Sequence, residues 1–262
     1  MHYKKLILSV LFLFSFLPFV SAQRPEIGIN GGGSGYIGDL NQFNPVKLSG
    51  SNFGVFGKMN FDPYWAIGLH INKGVIQGED ELSKNLDFVQ RNLNFKTTLT
   101  EIAFIGSFNF LDMYSPGSRK RVTPYLFAGA GGVIFNTIGK YNGEWQSQMD
   151  LRRLNTEGLP EMYRKYSIVI PYGAGVKYKK NDNWSLFGQI GYRTTFTDYL
   201  DDVSGVYPLT SSYWGGVNVS DRSSGGLYNP GDQRGDFRKR DTYLFVNIGI
   251  SYTFVSQKCF TF

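Results

Sequence analysis

The chain has 262 residues, with 27 Lys and Arg against 21 Asp and Glu, a formal charge of +6, 16% aromatic residues, 32 glycines and one cysteine. A single cysteine excludes an internal disulfide, and so modest a charge gives no electrostatic reason to expect a nucleic-acid partner. Beyond the N-terminus no apolar stretch approaches the ~20 residues a spanning helix needs, so any membrane-inserted form must cross with strands.

His2, Tyr3, Lys4 and Lys5 form a basic head, and residues 6–20 are apolar apart from Ser9, Ser15 and Pro18. Val20, Ser21 and Ala22 then offer the small residues of a processing site, so 1–22 is expected to be a signal peptide cleaved between Ala22 and Gln23. Cleavage removes Lys4 and Lys5 and no acids, which lowers the formal charge from +6 by two to +4.

Period-two alternation then recurs without a helical interlude, and each instance requires one apolar environment and one polar or tightly packed one. Residues 26–37 open with Ile27 and Ile29 and become glycine-rich through Gly31, Gly32 and Gly33. In 52–61, Phe53, Val55, Met59 and Phe61 oppose Lys58 and Asn60. Residues 65–74 set Trp65, Ile67, Leu69 and Ile71 against His70 and Asn72. Over 98–110, Ile102, Phe104, Phe108 and Phe110 oppose Glu101, Ala103, Ser107 and Asn109. Residues 124–135 are apolar on both faces, which leaves their orientation open. In 167–178, Ile168, Ile170, Tyr172, Ala174, Val176 and Tyr178 oppose Gly173, Gly175 and Lys177, with Pro171 deleting one ladder hydrogen bond. Residues 184–193 set Trp184, Leu186, Ile190 and Tyr192 against Ser185, Gln189, Gly191 and Arg193. The clearest run is the last, 241–254, with Leu244, Val246, Ile248, Ile250, Tyr252 and Phe254 on one face.

Short connections at 61–64, 111–123 and 179–183 alternate with long ones near 77–96, 136–165 and 195–240. The expected fold is therefore all-β: an eight-stranded antiparallel transmembrane β-barrel over 23–254 in the bacterial outer membrane, with short periplasmic turns and long extracellular loops. Both termini then lie in the periplasm, with 255–262 as a C-terminal tail. An open edge in hydrocarbon would strand unpaired backbone groups, and an eight-stranded lumen is just filled by side chains, so no pore is expected.

The inward face carries Glu26, Lys58, His70, Glu101, Lys177 and Arg193, with Glu26, Lys58 and Lys177 toward the short-turn end and Glu101 and Arg193 toward the other. A proton path or catalytic cluster is one reading of these groups. A structural ion-pair network is the plainer one, because buried charges must be paired. Nucleophile-elbow, zinc-protease, phosphate-loop and paired-cysteine motifs are all missing, and the mature chain holds one histidine, so no enzyme, cofactor or small-molecule substrate is expected. Asp198, Asp201 and Asp202 have carboxylates that suit Ca²⁺ with loop carbonyls, but they match no EF-hand pattern; solvated turn acids, without metal, are the expectation. An adhesive surface barrel acting through its loops remains an alternative, as does a secreted lipocalin-like barrel with reversed polarity.

The run 183–205 (NWSLFGQIGYRTTFTDYLDDVSG), with 123–129 (TPYLFAG), 155–158 (NTEG), 220–223 (SDRS) and 233–235 (QRG), resembles the PorG family of Bacteroidetes outer-membrane proteins across essentially the whole mature chain. The resemblance implies an accessory component of the type IX secretion system, neither enzyme nor conduit, that anchors or contacts the periplasmic ring of PorK- and PorN-like proteins (GldK and GldN in gliding relatives). Cys259 is the only cysteine of an exported chain, which suggests pairing with another chain. With the resemblance, its expected partner is a ring lipoprotein, and Phe260 and Phe262 are the expected docking aromatics.

Overall fold

Alternating strands set in lipid leave no unpaired edge only if they close on themselves, and they do. The computed structural model describes residues 24–42, 44–115 and 118–255. The strands are β1 (Arg24–Ile37), β2 (Leu48–Asn60), β3 (Trp65–Glu79), β4 (Asn94–Asn109), β5 (Val122–Tyr141), β6 (Tyr166–Lys179), β7 (Trp184–Thr195) and β8 (Thr242–Thr253). Each pairs antiparallel with its sequence neighbours, and β1 closes on β8 from Glu26↔Thr253 to Ile37↔Thr242. A ninth strand, Glu144–Asp150, extends the end of β5 as a hairpin and takes no part in closure.

The short turns are built by side chains that mimic backbone. Asp62 Oδ1 accepts from the amides of Tyr64 and Trp65, both at 2.7 Å. Asp112 Oδ1 does the same for Tyr114 and Ser115, and Asn181 Oδ1 for Asn183 and Trp184. The connections at that end, 61–64, 110–121 and 180–183, are shorter on average than those at the other, which include 80–93, 142–165 and 196–241.

Outside, an apolar belt is laid bare: Ile248 is 76% exposed, Phe104 65% and Ile168 62%. Inside lie Glu26, Asn30, Asn72, Glu101, Lys177, Arg193 and Asn247, all buried. Apolar outside and polar inside inverts a soluble barrel and matches an outer-membrane one. No helix among the described residues is long and apolar enough to cross a membrane. Glycines make the filling possible: the Phe127 ring lies across Gly173 and Gly191, where a Cβ would come within 2.7 and 2.6 Å of it.

Several details differ from the sequence expectation. β3, β4 and β5 run past the alternating segments to Glu79, Asn94 and Tyr141, so the barrel wall stands above the belt. In β5, Tyr125, Phe127, Val133 and Phe135 point inward while Leu126 and Ile134 face out, which settles the orientation left open. Leu244, expected on the lipid face, is fully buried, next to Gly35 and Tyr192 in the ladder. Pro171 is accommodated by a gap in the β5–β6 ladder between Ala128↔Tyr172 and Gly131↔Val169.

The long connections are compact. They hold a short helix α1 (Leu86–Arg91), a single turn α2 (Leu151–Leu154) and a two-residue hairpin, Tyr213–Trp214 with Val217–Asn218. Leu93, Met149, Leu151, Leu200, Val203 and Val219 from the loops join Ile76, Phe95, Phe135 and Phe245 of the wall in one buried apolar cluster. The loops form a cap whose core is shared with the upper wall of the barrel.

Candidate functional site

Two charge networks fill the lumen. Toward the short turns, Lys177 Nζ donates to both carboxylate oxygens of Glu26 at 2.6 and 2.8 Å, and to the Tyr114 hydroxyl at 2.8 Å. Lys58 Nζ lies 3.3 Å from the same carboxylate, and Asn60 donates to it at 3.2 Å. Toward the long loops, Glu101 accepts from Asn72 at 2.9 Å and from the Tyr243 hydroxyl. Arg193 Nε stands 3.4 Å from Glu101 without a hydrogen-bond partner of its own, so this contact is a charge–charge one. The guanidinium also sits 4.3 Å from the centre of the Phe245 ring. His70 joins neither network; its ring stacks on Phe56 at 4.9 Å. The void between these layers, lined by Lys58, His70, Tyr125 and Gln189 among others, measures about 30 Å³. That is room for one or two waters and nothing larger.

The acidic loop departs from its expected character. Asp201 and Asp202 are not solvated turn acids but are 1% and 2% exposed. Nor do Asp198, Asp201 and Asp202 gather in one place. Asp202 accepts from Thr156 at 2.5 Å and from Tyr163 at 2.6 Å, while Asp201 accepts from the Tyr36 hydroxyl and from the Val203 amide. The carboxylates that converge are Asp39, Asp198 and Asp241, with oxygens within 4.8 Å of one another. Each has a protein donor: the Asp236 amide for Asp39, the Ser204 hydroxyl for Asp198 and the Leu200 amide for Asp241. Burial pushes Asp39 up to about 7 and Asp198 and Asp202 up to about 6, and raises Asp201 and Asp241 well above the usual carboxylate range.

Arginines tie the cap together. Arg91, at the end of α1, pairs with Asp80 through Nε and Nη2 at 2.7 and 2.9 Å. It also donates to the carbonyls of Arg234 and Asp39, so one side chain joins three connections at this end of the barrel. Arg234 Nη1 donates to Glu157 at 3.0 Å and to the Asp202 carbonyl at 2.7 Å, and its Nε reaches the Ser220 carbonyl at 3.3 Å. Glu157 in turn accepts from the amides of Ser204 and Gly205. Thus the segments 155–158, 197–205, 220–223 and 233–235, far apart in the chain, meet in one latch. Sequence reasoning singled out the segments but not their meeting, and it missed Tyr36, Asp39, Asp80, Arg91 and Asp241 altogether.

A family model described as a domain of unknown function, DUF6089, matches residues 4–262. The chain belongs to that family. None of the curated proteins matches it significantly. Among solved structures it is similar to Ail, the attachment invasion locus protein of Yersinia pestis, in complex with sucrose octasulfate, at 11% identity over 88% of this chain and 99% of that one, with a TM-score of 0.42. The N-terminal barrel domain of Pseudomonas aeruginosa OprF shares 11% identity over 88% and 97% of the two chains, at a TM-score of 0.37. Neisserial surface protein A shares 10% over 89% and 97%, at 0.38. Identities this low bear on no function, and the barrel assignment rests on the closed ladder and the apolar belt. Gln23, Cys259, Phe260 and Phe262, like Ala22 and the rest of the expected signal peptide, lie outside the described residues.

Proposed function

We propose that this protein is a non-enzymatic anchor in the outer membrane: a plugged barrel carrying a rigid cap on its outer face and offering its short-turn face to the periplasm. The filled lumen carries this reading. With a central void of about 30 Å³ there is no conduit, and with His70 stacked on Phe56 the histidine is spent on packing. What remains for function is the two ends. In this reading residues 1–22 are removed at export, and both termini face the periplasm.

The partner follows from the resemblance at 123–129, 155–158, 183–205, 220–223 and 233–235: the periplasmic ring of a type IX secretion system, through PorK/GldK- and PorN/GldN-like proteins. Cys259, Phe260 and Phe262 belong to this contact, with Cys259 able to form an intermolecular disulfide. Cross-linking of native outer membranes, capture of the tagged barrel and mass spectrometry tests it. Ring proteins should be recovered with the wild type, and a heavier reducible band should vanish in Cys259→Ser. Recovery of bystander membrane proteins alone contradicts the secretion reading. Adhesion through the cap is the second reading, favoured by Leu209 and Phe237, which are 93% and 90% exposed on the longest loop.

A further inference from the structure

On the outer wall, at the upper edge of the belt, lies a groove of about 620 Å³. It exists because one residue in a cross-strand row has no side chain. In the register of the ladder Gly132 faces Ile102 of β4 on one side and Ile168 of β6 on the other, and the Phe196 amide bonds to the Ile168 carbonyl next along. Gly132 is the floor, and the exposed side chains of Ile102, Ile134, Ile168 and Phe196 are the walls. A Cβ built on Gly132 would meet only the Ser167 carbonyl at 3.9 Å, so the space above it is open.

The upper lip is cationic. Arg164 lines the groove with its guanidinium 5.8 Å from the centre of the Tyr166 ring. Arg240 rests over Phe196, 4.3 Å from that ring centre. Both residues are exposed, and neither makes an ion pair among the described residues. Planar guanidinium groups held on aromatic faces present their donors in the fork that suits a phosphate. Below them an apolar slot continues straight into the lipid-facing belt.

We infer that this groove holds one lipid with an anionic, sterically open phosphate headgroup, its chain lying on Gly132 between Ile102 and Ile168 and its phosphate between Arg164 and Arg240. The occupant is a membrane lipid because the slot opens along the belt, where hydrocarbon is the solvent, and because the two unpaired guanidiniums stand on aromatic residues at its rim. This rests on the membrane-spanning reading of the barrel.

The test uses the full mature chain refolded into phosphatidylcholine vesicles with a minor fraction of phosphatidic acid, extracted gently and counted by native mass spectrometry. One phosphatidic acid per barrel should be retained over phosphatidylcholine. Arg164→Gln with Arg240→Gln should weaken retention about tenfold or more, since two charge-assisted contacts are lost. Gly132→Phe, which fills the slot and leaves the arginines, should weaken it as well. Added inorganic phosphate should not displace the lipid; if it does, the slot takes no part and the lipid site is wrong. A barrel that inserts, runs as a heat-modifiable band and retains phosphatidic acid no better than the double variant overturns the site alone. A chain that inserts into no bilayer overturns the membrane-spanning reading together with it.

Discussion

Glu26 has no exposed surface and faces two lysines across the lumen, so its worth lies in what its loss would leave behind. Glu26→Gln strands Lys177, which is 3% exposed, without a counter-charge, and breaking a buried pair from one side costs about 3–5 kcal/mol. The temperature at which the folded, fast-migrating gel band is lost should fall clearly. Adding Lys177→Met to Glu26→Gln should recover part of the loss, because it removes the more deeply buried of the two orphaned charges. An unchanged transition in the single variant would mean that the network is not what holds the lumen. The outer face has a different currency. Ile248→Arg sets a charge in hydrocarbon and should cost about 2–4 kcal/mol. Asn247→Ala, one residue away, loses the 2.8 Å bond to Asn30 and should cost about 1 kcal/mol. The inverse order in urea-unfolding midpoints in lipid would show that the last strand faces the other way.

Among the elements, the strands were legible in the sequence and the loops were not, for one physical reason. A strand between lipid and a packed lumen must alternate, so Trp65, Ile67, Leu69 and Ile71 announce their face from spacing alone. The cap is held by contacts that carry no period: Tyr36 reaches Asp201 across 165 residues, and Arg91 reaches the Arg234 carbonyl across 143. Hence Asp201 and Asp202 read as solvated acids when they are core groups. Residues 124–135 defied orientation for a related cause: inward Val133 and Phe135 join the apolar cluster shared with the cap, inward Tyr125 and Phe127 pack on Ala103 and Ile105 in the lumen, and both faces therefore read as apolar. The acids of the cap also give it a pH dependence. Burial raises Asp39 to about 7 and Asp198 and Asp202 to about 6, above the unfolded carboxylate value near 4. The folded cap therefore binds more protons than the unfolded one across that interval, and the stability these protonations contribute is full below about pH 4 and lost as pH rises through about 6 to 7. Hydrogen exchange, corrected for intrinsic rates, should show amides of 198–203 losing about tenfold or more protection between about pH 5 and pH 8. Protection that rises over this range would contradict the protonated cap.

For the whole molecule, the closed ladder, the inverted polarity and the plugged lumen make one object: a wall through a membrane with a cap at one end and tight turns at the other. Its direction in the membrane decides which surface can meet the periplasm, and labelling single cysteines in intact cells reports that direction. In a Cys259→Ser background, Asn142→Cys and Ser212→Cys mark the cap and Asn181→Cys marks a short turn, all on accessible or half-buried sites. With a membrane-impermeant maleimide, the two cap cysteines should label in intact cells, and Asn181→Cys should label only after the outer membrane is opened. Labelling at Asn181→Cys in intact cells, with the cap cysteines silent, would put the cap in the periplasm and contradict the account.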